Sequence, residues 1–238
     1  MKTARETRAI LDLLETQHPD ADTELHYQTA FQLLVATMLS AQSTDVRVNM
    51  VTPALFKRYR DARALAKATA EELEPQIHST GFFRAKSRSL IGMAQALVAN
   101  HSGKVPATME ALVELPGVGR KTANVVLGHA LGVPGLPVDR HVLRVANRIG
   151  IAESDDPIAV ERQLTAAMPP ERWTCTSDTL ILHGRRICRP KPLCDQCVVR
   201  DHCDYFRLVI SRARAGKAPK KPREPKHRGP KTVRKSRR

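Results

Sequence analysis

The stretch that decides the fold is residues 115–123, Leu115-Pro116-Gly117-Val118-Gly119-Arg120-Lys121-Thr122-Ala123. A short apolar helix before it must end at Pro116, because the interior of a helix does not tolerate proline. The two glycines then allow a tight turn and a close approach of the backbone to a ligand. A second helix starts at once, and we expect the amides of Val118, Gly119 and Arg120 to point outward at its positive end. The stretch therefore predicts two helices joined by a hairpin that holds a phosphate backbone.

Lys121 lies in the first turn of the second helix, and it has two interpretations. It is either a solvated phosphate contact or an amine with a chemical role. Asp139 follows eighteen residues later, after a helix and a Gly/Pro loop at residues 132–137 that are long enough to bring it back beside Lys121. Asp139 also precedes an apolar-periodic segment, so it suits the cap of a helix, and the two roles are compatible. The spacing indicates a candidate catalytic pair, and the simpler interpretations stay open.

The cysteines indicate a metal site. Four of the five fall within residues 188–203, in the pattern Cys188-x5-Cys194-x2-Cys197-x5-Cys203. No apolar signal segment follows the charged first residues, so we expect a reducing cytoplasm, in which four close thiols bind metal more often than they form disulfides. A single compact run suits a [4Fe-4S] cluster, and zinc, which usually takes paired short knuckles, remains the alternative. Cys175 lies in an apolar-periodic segment and is predicted to be a small core residue.

The charge of the chain indicates an anionic partner. Its 238 residues are enough for one or two compact domains, and its formal net charge is +15. Residues 213–238 contain twelve Lys or Arg and one acid, Glu224, and so carry +11 of that charge. This segment is rich in Pro, Gly, Lys and Arg, and we predict that it is a disordered basic tail. This positive net charge favours nucleic acid as the partner. No apolar run approaches the roughly 18 residues of a membrane span.

Apolar periodicity predicts an all-α chain. Apolar side chains recur at helical spacing in residues 10–14, 31–38, 48–56, 90–97, 142–149 and 180–187. Asp45 is expected to cap the third helix, and Thr69-x-x-Glu72 indicates a capping box for a short fourth helix. Asp156 followed by Pro157 marks another helix start. Sustained period-two alternation is missing, so a sheet is not expected.

Three stretches together resemble one family of repair enzymes. Residues 115–123 with Asp139 resemble the helix-hairpin-helix, Gly/Pro-loop and aspartate signature of DNA glycosylases, and Lys121 makes the chain similar to the endonuclease III family. Residues 39–45, Leu-Ser-Ala-Gln-Ser-Thr-Asp, are similar to the loop with which that family enters the gap left by a flipped base. Residues 81–86, Gly-Phe-Phe-Arg-Ala-Lys, are similar to its wedge loop. The resemblance runs from about residue 5 to about residue 210.

Two departures from the family pattern accompany this resemblance. Phe82 stands where the family often has a smaller apolar residue. The first gap between the cysteines is five residues, whereas the family usually has six. The shorter gap concerns the path of the loop more than the set of four thiols.

The resemblance implies an all-α helix-hairpin-helix DNA glycosylase fold. A six-helix domain would occupy residues 23–133, and residues 1–22 and 134–212 would form a cluster domain from both ends of the chain. The implied [4Fe-4S] ligands are Cys188, Cys194, Cys197 and Cys203. The reactive cleft would lie between the domains, with Lys121 on one wall and Asp139 on the other.

The implied activity is base excision repair of double-stranded DNA that contains oxidised pyrimidines or abasic sites. The damaged nucleotide would be flipped out of the duplex. Lys121 would then displace the base and form a Schiff base, Asp139 would stabilise the cationic sugar, and β-elimination would cut the strand on the 3′ side. Gln42 would fill the gap and Phe82 would wedge the stack, whereas a loop amide and a core aromatic are their simpler interpretations. The other implied DNA contacts are Gly117, Val118, Gly119, Arg120, His141, Arg189 and Lys191.

Three other functions share parts of this pattern. An adenine-mismatch glycosylase has the hairpin, the aspartate and the cluster, but it normally lacks a lysine at the position of Lys121. A non-enzymatic DNA-binding regulator that senses oxidants through its cluster has no need of the pairing with Asp139. A structural helix-hairpin-helix module of a larger assembly is disfavoured by the length of the resemblance. We expect a monomeric bacterial enzyme that works in the cytoplasm on the nucleoid.

Overall fold

The computed structural model of the chain describes residues 1–212. Within that range it consists of helices and loops and contains no strand, as the periodicity predicts. The segment 213–238, predicted to be a disordered tail, lies outside the described residues. The α-helices are α1 (Ala4–Gln17), α2 (Ala30–Ser40), α3 (Asp45–Arg58), α4 (Ala62–Leu65), α5 (Ala70–Ile77), α6 (Phe83–His101), α7 (Met109–Val113), α8 (Arg120–Ala130), α9 (Arg140–Ile149), α10 (Pro157–Ala167) and α11 (Trp173–Arg186).

Short polar side chains start most of these helices. Asp139 caps α9, and Asp156 caps α10 with a proline in the first turn, as the sequence predicts. The prediction for Asp45 is wrong, because the cap of α3 is Thr44, whose hydroxyl accepts a hydrogen bond from the Arg47 amide at 3.2 Å. Asp45 is the first residue of α3, and its carboxylate pairs with Arg185 instead.

One helix of a single turn is absent from the sequence prediction. It is α4, so the predicted capping box at Thr69 belongs to the fifth helix rather than the fourth. The Thr69 hydroxyl accepts from the Glu72 amide at 3.4 Å, which is half of the box. The Glu72 carboxylate instead pairs with Arg58 at 2.8 Å, so the reciprocal bond is not formed.

The buried side chains form two hydrophobic cores. One core takes its residues from Leu25 to Leu127, that is, from α2 to α8 and the loop before them. The other combines three residues of α1 (Ile10, Leu11 and Leu14) with residues from Leu136 to Cys203. The chain therefore leaves the second core after α1, builds the first core, and returns through residues 131–137. The domain boundaries expected near residues 22 and 133 stay a prediction of the sequence.

Ion pairs join elements of the two cores beside the hairpin. Arg120, at the start of α8, makes a two-point contact with Glu161 of α10 at 2.7 and 2.9 Å. Arg185, near the end of α11, donates to the carboxylate of Asp45 at 2.8 Å and to that of Glu24. These contacts set the start of α8 against α10 and the start of α3 against α11. No helix in the described part of the chain is both long and apolar enough to cross a bilayer.

Candidate active site

The hairpin between α7 and α8 depends on Gly117. Its φ of 75° lies in the left-handed region, which a residue with a Cβ adopts at a cost. A Cβ at this position would also lie 2.7 Å from the Cβ of Ser89, closer than side-chain atoms pack. Leu115 and Val118, on either side, are buried. The hairpin is therefore anchored by apolar side chains and turned by a glycine that has no room for a side chain.

The backbone amides of the hairpin have different roles. The Val118 amide donates to the Leu115 carbonyl at 3.0 Å, so the prediction that it points outward is wrong. Gly119 is the residue before α8, and it offers no side-chain cap to the first amides of that helix. A Cβ added at Gly119 would meet no atom within 4 Å, so the space beside it is open. Open space at uncapped helix amides is the arrangement that accepts a phosphate.

Lys121 and Asp139 line the same cleft, which has a volume of about 550 Å³. Lys121 reaches it from the first turn of α8, and its side chain is exposed. Asp139 reaches it from the cap of α9. The remaining lining residues come from the loop 40–45, from the starts of α8 and α9, and from α2 and α11: Thr37, Ser40, Ala41, Gln42, Ser43, Thr44, Asp45, Thr122, Arg140, His141 and Arg185.

Asp139 combines the two roles that the sequence leaves open. Its Oδ1 accepts hydrogen bonds from the amides of His141 at 2.7 Å and Val142 at 2.9 Å, so one oxygen caps α9. Its Oδ2 has no hydrogen-bond partner among residues 1–212. The Lys121 amine likewise has neither a hydrogen bond nor an ion pair with any described residue. An oriented carboxylate and an uncommitted amine therefore share one cavity.

Gln42 lies in the loop that lines this cleft, and Phe82 lies in the short loop before α6. Both have left-handed backbones, with φ of 57° and 49°, which is unusual for residues other than glycine. The Phe82 side chain is 69% exposed, so it is not a core aromatic. The buried Lys86 joins the loops, because its Nζ donates to the carbonyls of Leu39 and Thr80 at 2.8 Å each. Burial lowers the pKa of Lys86.

Two implied DNA contacts other than Val118 have side chains that are engaged within the protein. The Arg120 guanidinium is committed to Glu161, although its side chain remains 44% exposed. His141 lines the cleft, and burial lowers its pKa. Its Nδ1 lies 3.2 Å from the Nη2 of Arg144. Because a guanidinium only donates, that nitrogen accepts, and the hydrogen of neutral His141 is then on Nε2.

The four clustered cysteines surround one small space in the second core. Cys188 and Cys203 are buried, while Cys194 and Cys197 are partly exposed. The space is bounded by Ile149, His183, Ile187, Arg200, Tyr205 and Phe206. Burial raises the pKa of Cys197 to about 11, so a bare thiol there stays protonated at neutral pH. Arg189 and Lys191 lie exposed on the loop that connects the first two cysteines.

The fifth cysteine does not lie in the core. Cys175 is exposed on α11, whereas the next residues of that helix, Thr176 and Ser177, are buried. The periodicity places Cys175 correctly in a helix, but it assigns the wrong face. The prediction of a core residue is therefore wrong.

Sequence reasoning missed Arg185, which lines the cleft from α11 and pairs with Asp45. It also missed Arg140, which follows Asp139 directly and lines the same cleft. For Arg140 the signal was its position next to the candidate carboxylate. For Arg185 the sequence offered none, since its partner lies 140 positions away.

Comparison with known proteins agrees with this geometry. A family model described as "HhH-GPD superfamily base excision DNA repair protein" matches residues 35–170. An endonuclease III of Synechocystis sp. is 50% identical over 204 residues, which cover 85% of this chain and 93% of that protein. Among solved structures, a trapped covalent intermediate of endonuclease III with DNA has a TM-score of 0.84 at 40% identity, covering 88% of this chain and all of the other.

A non-covalent endonuclease III–DNA complex has the same TM-score of 0.84 at 40% identity, and the alignment covers 90% of this chain and 100% of the other. The family match spans more than half of the chain and includes both the hairpin and Asp139. The chain is therefore a member of the HhH-GPD superfamily of base excision DNA repair proteins and belongs to its endonuclease III family, the DNA glycosylases and AP lyases that remove oxidised pyrimidines.

Proposed function

We propose that Lys121 is the nucleophile of this glycosylase and lyase and that Asp139 stabilises the charge that develops on the sugar. The observation that carries the proposal is their presence in one cleft with an uncommitted amine and an uncommitted carboxylate oxygen. Two amides of α9 hold Asp139 in place, so its charge needs little reorganisation when the reaction begins.

The reaction follows from these two groups. The Lys121 nitrogen, as a free amine, attacks C1′ of the flipped nucleotide, and the bond from C1′ to the base breaks with its electron pair leaving on the base. The base takes up a proton, and the lysine nitrogen loses one of its own to O4′ as the sugar ring opens, which gives a protonated Schiff base. Asp139 stabilises the positive charge at C1′ in the first step. Removal of a C2′ proton then expels the 3′ oxygen with its phosphate, which cuts the strand.

We propose that the two loop tips hold the duplex open. Gln42 lines the cleft and Phe82 projects into solvent, so they are placed to fill the vacated position and to enter the base stack. Extruding a nucleotide costs a few kcal/mol of stacking and pairing. An aromatic ring that stacks on the exposed bases offsets part of that cost.

We propose that Cys188, Cys194, Cys197 and Cys203 hold a [4Fe-4S] cluster. A zinc ion with bonds of about 2.3 Å would draw four sulfurs to within about 4 Å of one another. Among residues 1–212, only one group of three His, Cys, Asp or Glu side chains has its donor atoms within 4.8 Å of one another, and that group contains no cysteine. The cysteine sulfurs are therefore spaced too widely for one zinc ion, and this wider spacing suits a larger cluster. When bound, it supplies covalent links that fold the segment carrying Arg189 and Lys191.

We propose that the uncommitted amides at the start of α8 bind a DNA phosphate and that Arg189 and Lys191 contact the backbone farther along. Both side chains are exposed on the loop that follows α11. All of these groups belong to one chain, so we propose that the enzyme acts as a monomer. These groups together then bind one face of the duplex, with Lys121 at the flipped nucleotide.

The experiment that tests the nucleophile is chemical trapping. Borohydride reduces the Schiff base to a stable secondary amine, so the wild-type protein and a duplex with an oxidised pyrimidine should yield a crosslink at Lys121. Lys121→Gln should abolish both the crosslink and the release of the base while it leaves DNA binding largely intact. Lys67→Gln removes an exposed lysine from another surface and should behave as wild type.

Trapping by Lys121→Gln at the wild-type rate would overturn the assignment of the nucleophile. Release of the base without any trapping by wild type would indicate a water-using glycosylase, as the mismatch-specific enzymes are. Binding without either reaction would indicate a regulator. A denaturing gel, run with and without alkali to cut abasic sites, resolves intact, nicked and crosslinked DNA, and a native gel reports binding.

A further inference from the structure

A second pocket, of about 620 Å³, lies apart from the reactive cleft and shares no lining residue with it. It is formed where the chain after α1 meets the end of α8 and the first half of α11. Three carboxylates line it, those of Asp22, Glu171 and Asp178, and no Lys or Arg does. In a protein whose formal net charge is +15, such a pocket repels a phosphate and attracts a cation.

Three donor atoms converge in this pocket. The Nε2 of His129 lies 2.9 Å from Oδ2 of Asp178 and 3.8 Å from Oδ1 of Asp22, and all three atoms lie within 4.8 Å of one another. A metal ion with bonds of about 2.1 Å places neighbouring ligand atoms about 3 to 3.4 Å apart. The observed distances bracket that range. Asp22, whose side chain is 78% exposed, is free to close the longer distance.

The His129 ring is oriented as a metal ligand is. Its Nδ1 lies 3.0 Å from the Val125 carbonyl, one turn earlier in α8, and a carbonyl accepts only from a protonated nitrogen. The other nitrogen, Nε2, faces the two carboxylates and donates to Asp178 in the metal-free protein, so a bound ion displaces its proton. Fixing the ring through a hydrogen bond from one nitrogen, so that the other coordinates, is the usual arrangement around bound metals. The buried His129 and Asp178 side chains are 6% and 8% exposed, so two of the three donors are rigidly placed.

We propose that Asp22, His129 and Asp178 form a binding site for one divalent metal ion, with water completing its coordination. Two carboxylate oxygens and one imidazole nitrogen suit an ion that prefers oxygen ligands, such as Mn²⁺. The ligands come from the segment after α1, from α8 and from α11. Because these elements belong to both hydrophobic cores, the bound ion joins the two halves of the molecule, near the end of α8 opposite to Lys121.

Manganese binding to the full-length protein, as purified, tests the proposal. Free Mn²⁺ has a six-line electron paramagnetic resonance signal that is lost on binding, and Mn²⁺ has little affinity for thiols. Wild type should bind one equivalent, and the ion should raise its Tm by mass action. Asp22→Asn, at an exposed position that does not threaten folding, should weaken binding by at least about tenfold. Asp155→Asn removes an exposed carboxylate outside the pocket and should bind as wild type.

Either of two results overturns the site. One is the absence of saturable Mn²⁺ binding to wild type up to about 1 mM, a very weak affinity. The other is equal binding by wild type and Asp22→Asn, which would place the ion elsewhere. In both cases His129 and Asp178 form only a buried ion pair. The glycosylase reaction does not enter the measurement, so its outcome is independent of the role of Lys121.

Discussion

The two glycines of the hairpin are required for different reasons, one by the fold and one by the ligand. Gly117 has a left-handed backbone and no room for a Cβ beside Ser89, so the fold itself requires glycine there. Gly119 has an ordinary φ of −95°, and open space lies where its Cβ would stand. The absence of a side chain at Gly119 therefore serves whatever approaches from outside, which for this family is DNA.

Alanine substitutions should separate these two constraints. Gly117→Ala should lower the free energy of unfolding by about 2 kcal/mol, because it combines backbone strain with overpacking. Gly119→Ala should leave the free energy of unfolding within about 0.5 kcal/mol of wild type. It should nevertheless weaken binding to an abasic-site duplex several-fold. Urea unfolding and fluorescence anisotropy measure the two effects, and equal destabilisation by both variants would contradict this division.

Asp139→Asn isolates the charge of the carboxylate from its structural role. Asparagine caps helices about as well as aspartate, so the stability of the protein should change little. Release of the base should slow by about 10² to 10³, the usual effect of removing one group that stabilises charge in a transition state. DNA affinity should change much less than that. Single-turnover kinetics at saturating enzyme provide the measurement, and an affinity that falls as much as the rate would contradict the assignment.

At this scale, the sequence predicts helix caps where one short polar residue precedes an apolar pattern. Asp139 and Asp156 are of this kind, and both predictions are confirmed. Before α3 two such residues are adjacent, Thr44 and Asp45, and local preference does not choose between them. In the folded protein Arg185 donates to the Asp45 carboxylate, and the Thr44 hydroxyl caps the helix instead. A contact across 140 positions has no signature in the local sequence.

At the scale of helices and loops, Lys86 of α6 joins the two loops proposed to enter the DNA. The carbonyls that it binds belong to Leu39, near the end of α2, and Thr80, at the end of a 3₁₀ turn. Both are the negative ends of helical segments, which offset part of the cost of burying a cation. Gln42 and Phe82 follow these carbonyls by three and two residues. The position of Lys86 therefore fixes how far apart the two loop tips stand.

Lys86→Met keeps the buried aliphatic stem but removes the donor. Two carbonyls lose their shared partner, so the free energy of unfolding should fall by about 2–4 kcal/mol. If Lys86 sets the loop spacing, nucleotide flipping should suffer more than binding to undamaged DNA, as reported by the fluorescence of 2-aminopurine opposite the lesion. Lys104→Met, at an exposed position, is the control. A variant that is less stable but flips normally would limit Lys86 to a structural role.

The order and type of the helices are predictable because the hydrophobic pattern determines which segments must be buried. The pattern does not specify which face of a helix meets which neighbour. Cys175 shows this, since α11 is apolar enough to predict burial, yet the residue borders the pocket that also contains Asp22. The single turn α4 was missed for a related reason, because four residues are too few to show a period.

At the scale of the whole molecule, the charge is distributed unevenly. Residues 213–238 carry +11 of the net +15 and lie outside the described part of the chain, so residues 1–212 carry +4. The glycosylase body alone is only mildly basic, although its substrate is a polyanion. Sequence-independent affinity for DNA should therefore depend largely on the terminal segment.

Truncation after Arg212 tests that dependence. Affinity for damaged and undamaged duplexes should fall together, and the slope of log affinity against log salt should flatten by roughly 0.9 for each phosphate that the truncated protein no longer neutralises. The rate of base release at saturating enzyme should barely change, because the cleft keeps all of its residues. An unchanged salt slope in filter-binding or anisotropy measurements would show that the segment does not contact DNA.

The second hydrophobic core unites α1 with residues that follow it by more than a hundred positions. A ribosome releases the chain in order, so every residue of the first core, which ends at Leu127, emerges while α1 still lacks its partners. The apolar face formed by Ile10, Leu11 and Leu14 is consequently exposed for most of the time of synthesis. It is buried only after the residues up to Cys203 have been made, so the first helix to be synthesised is among the last to pack.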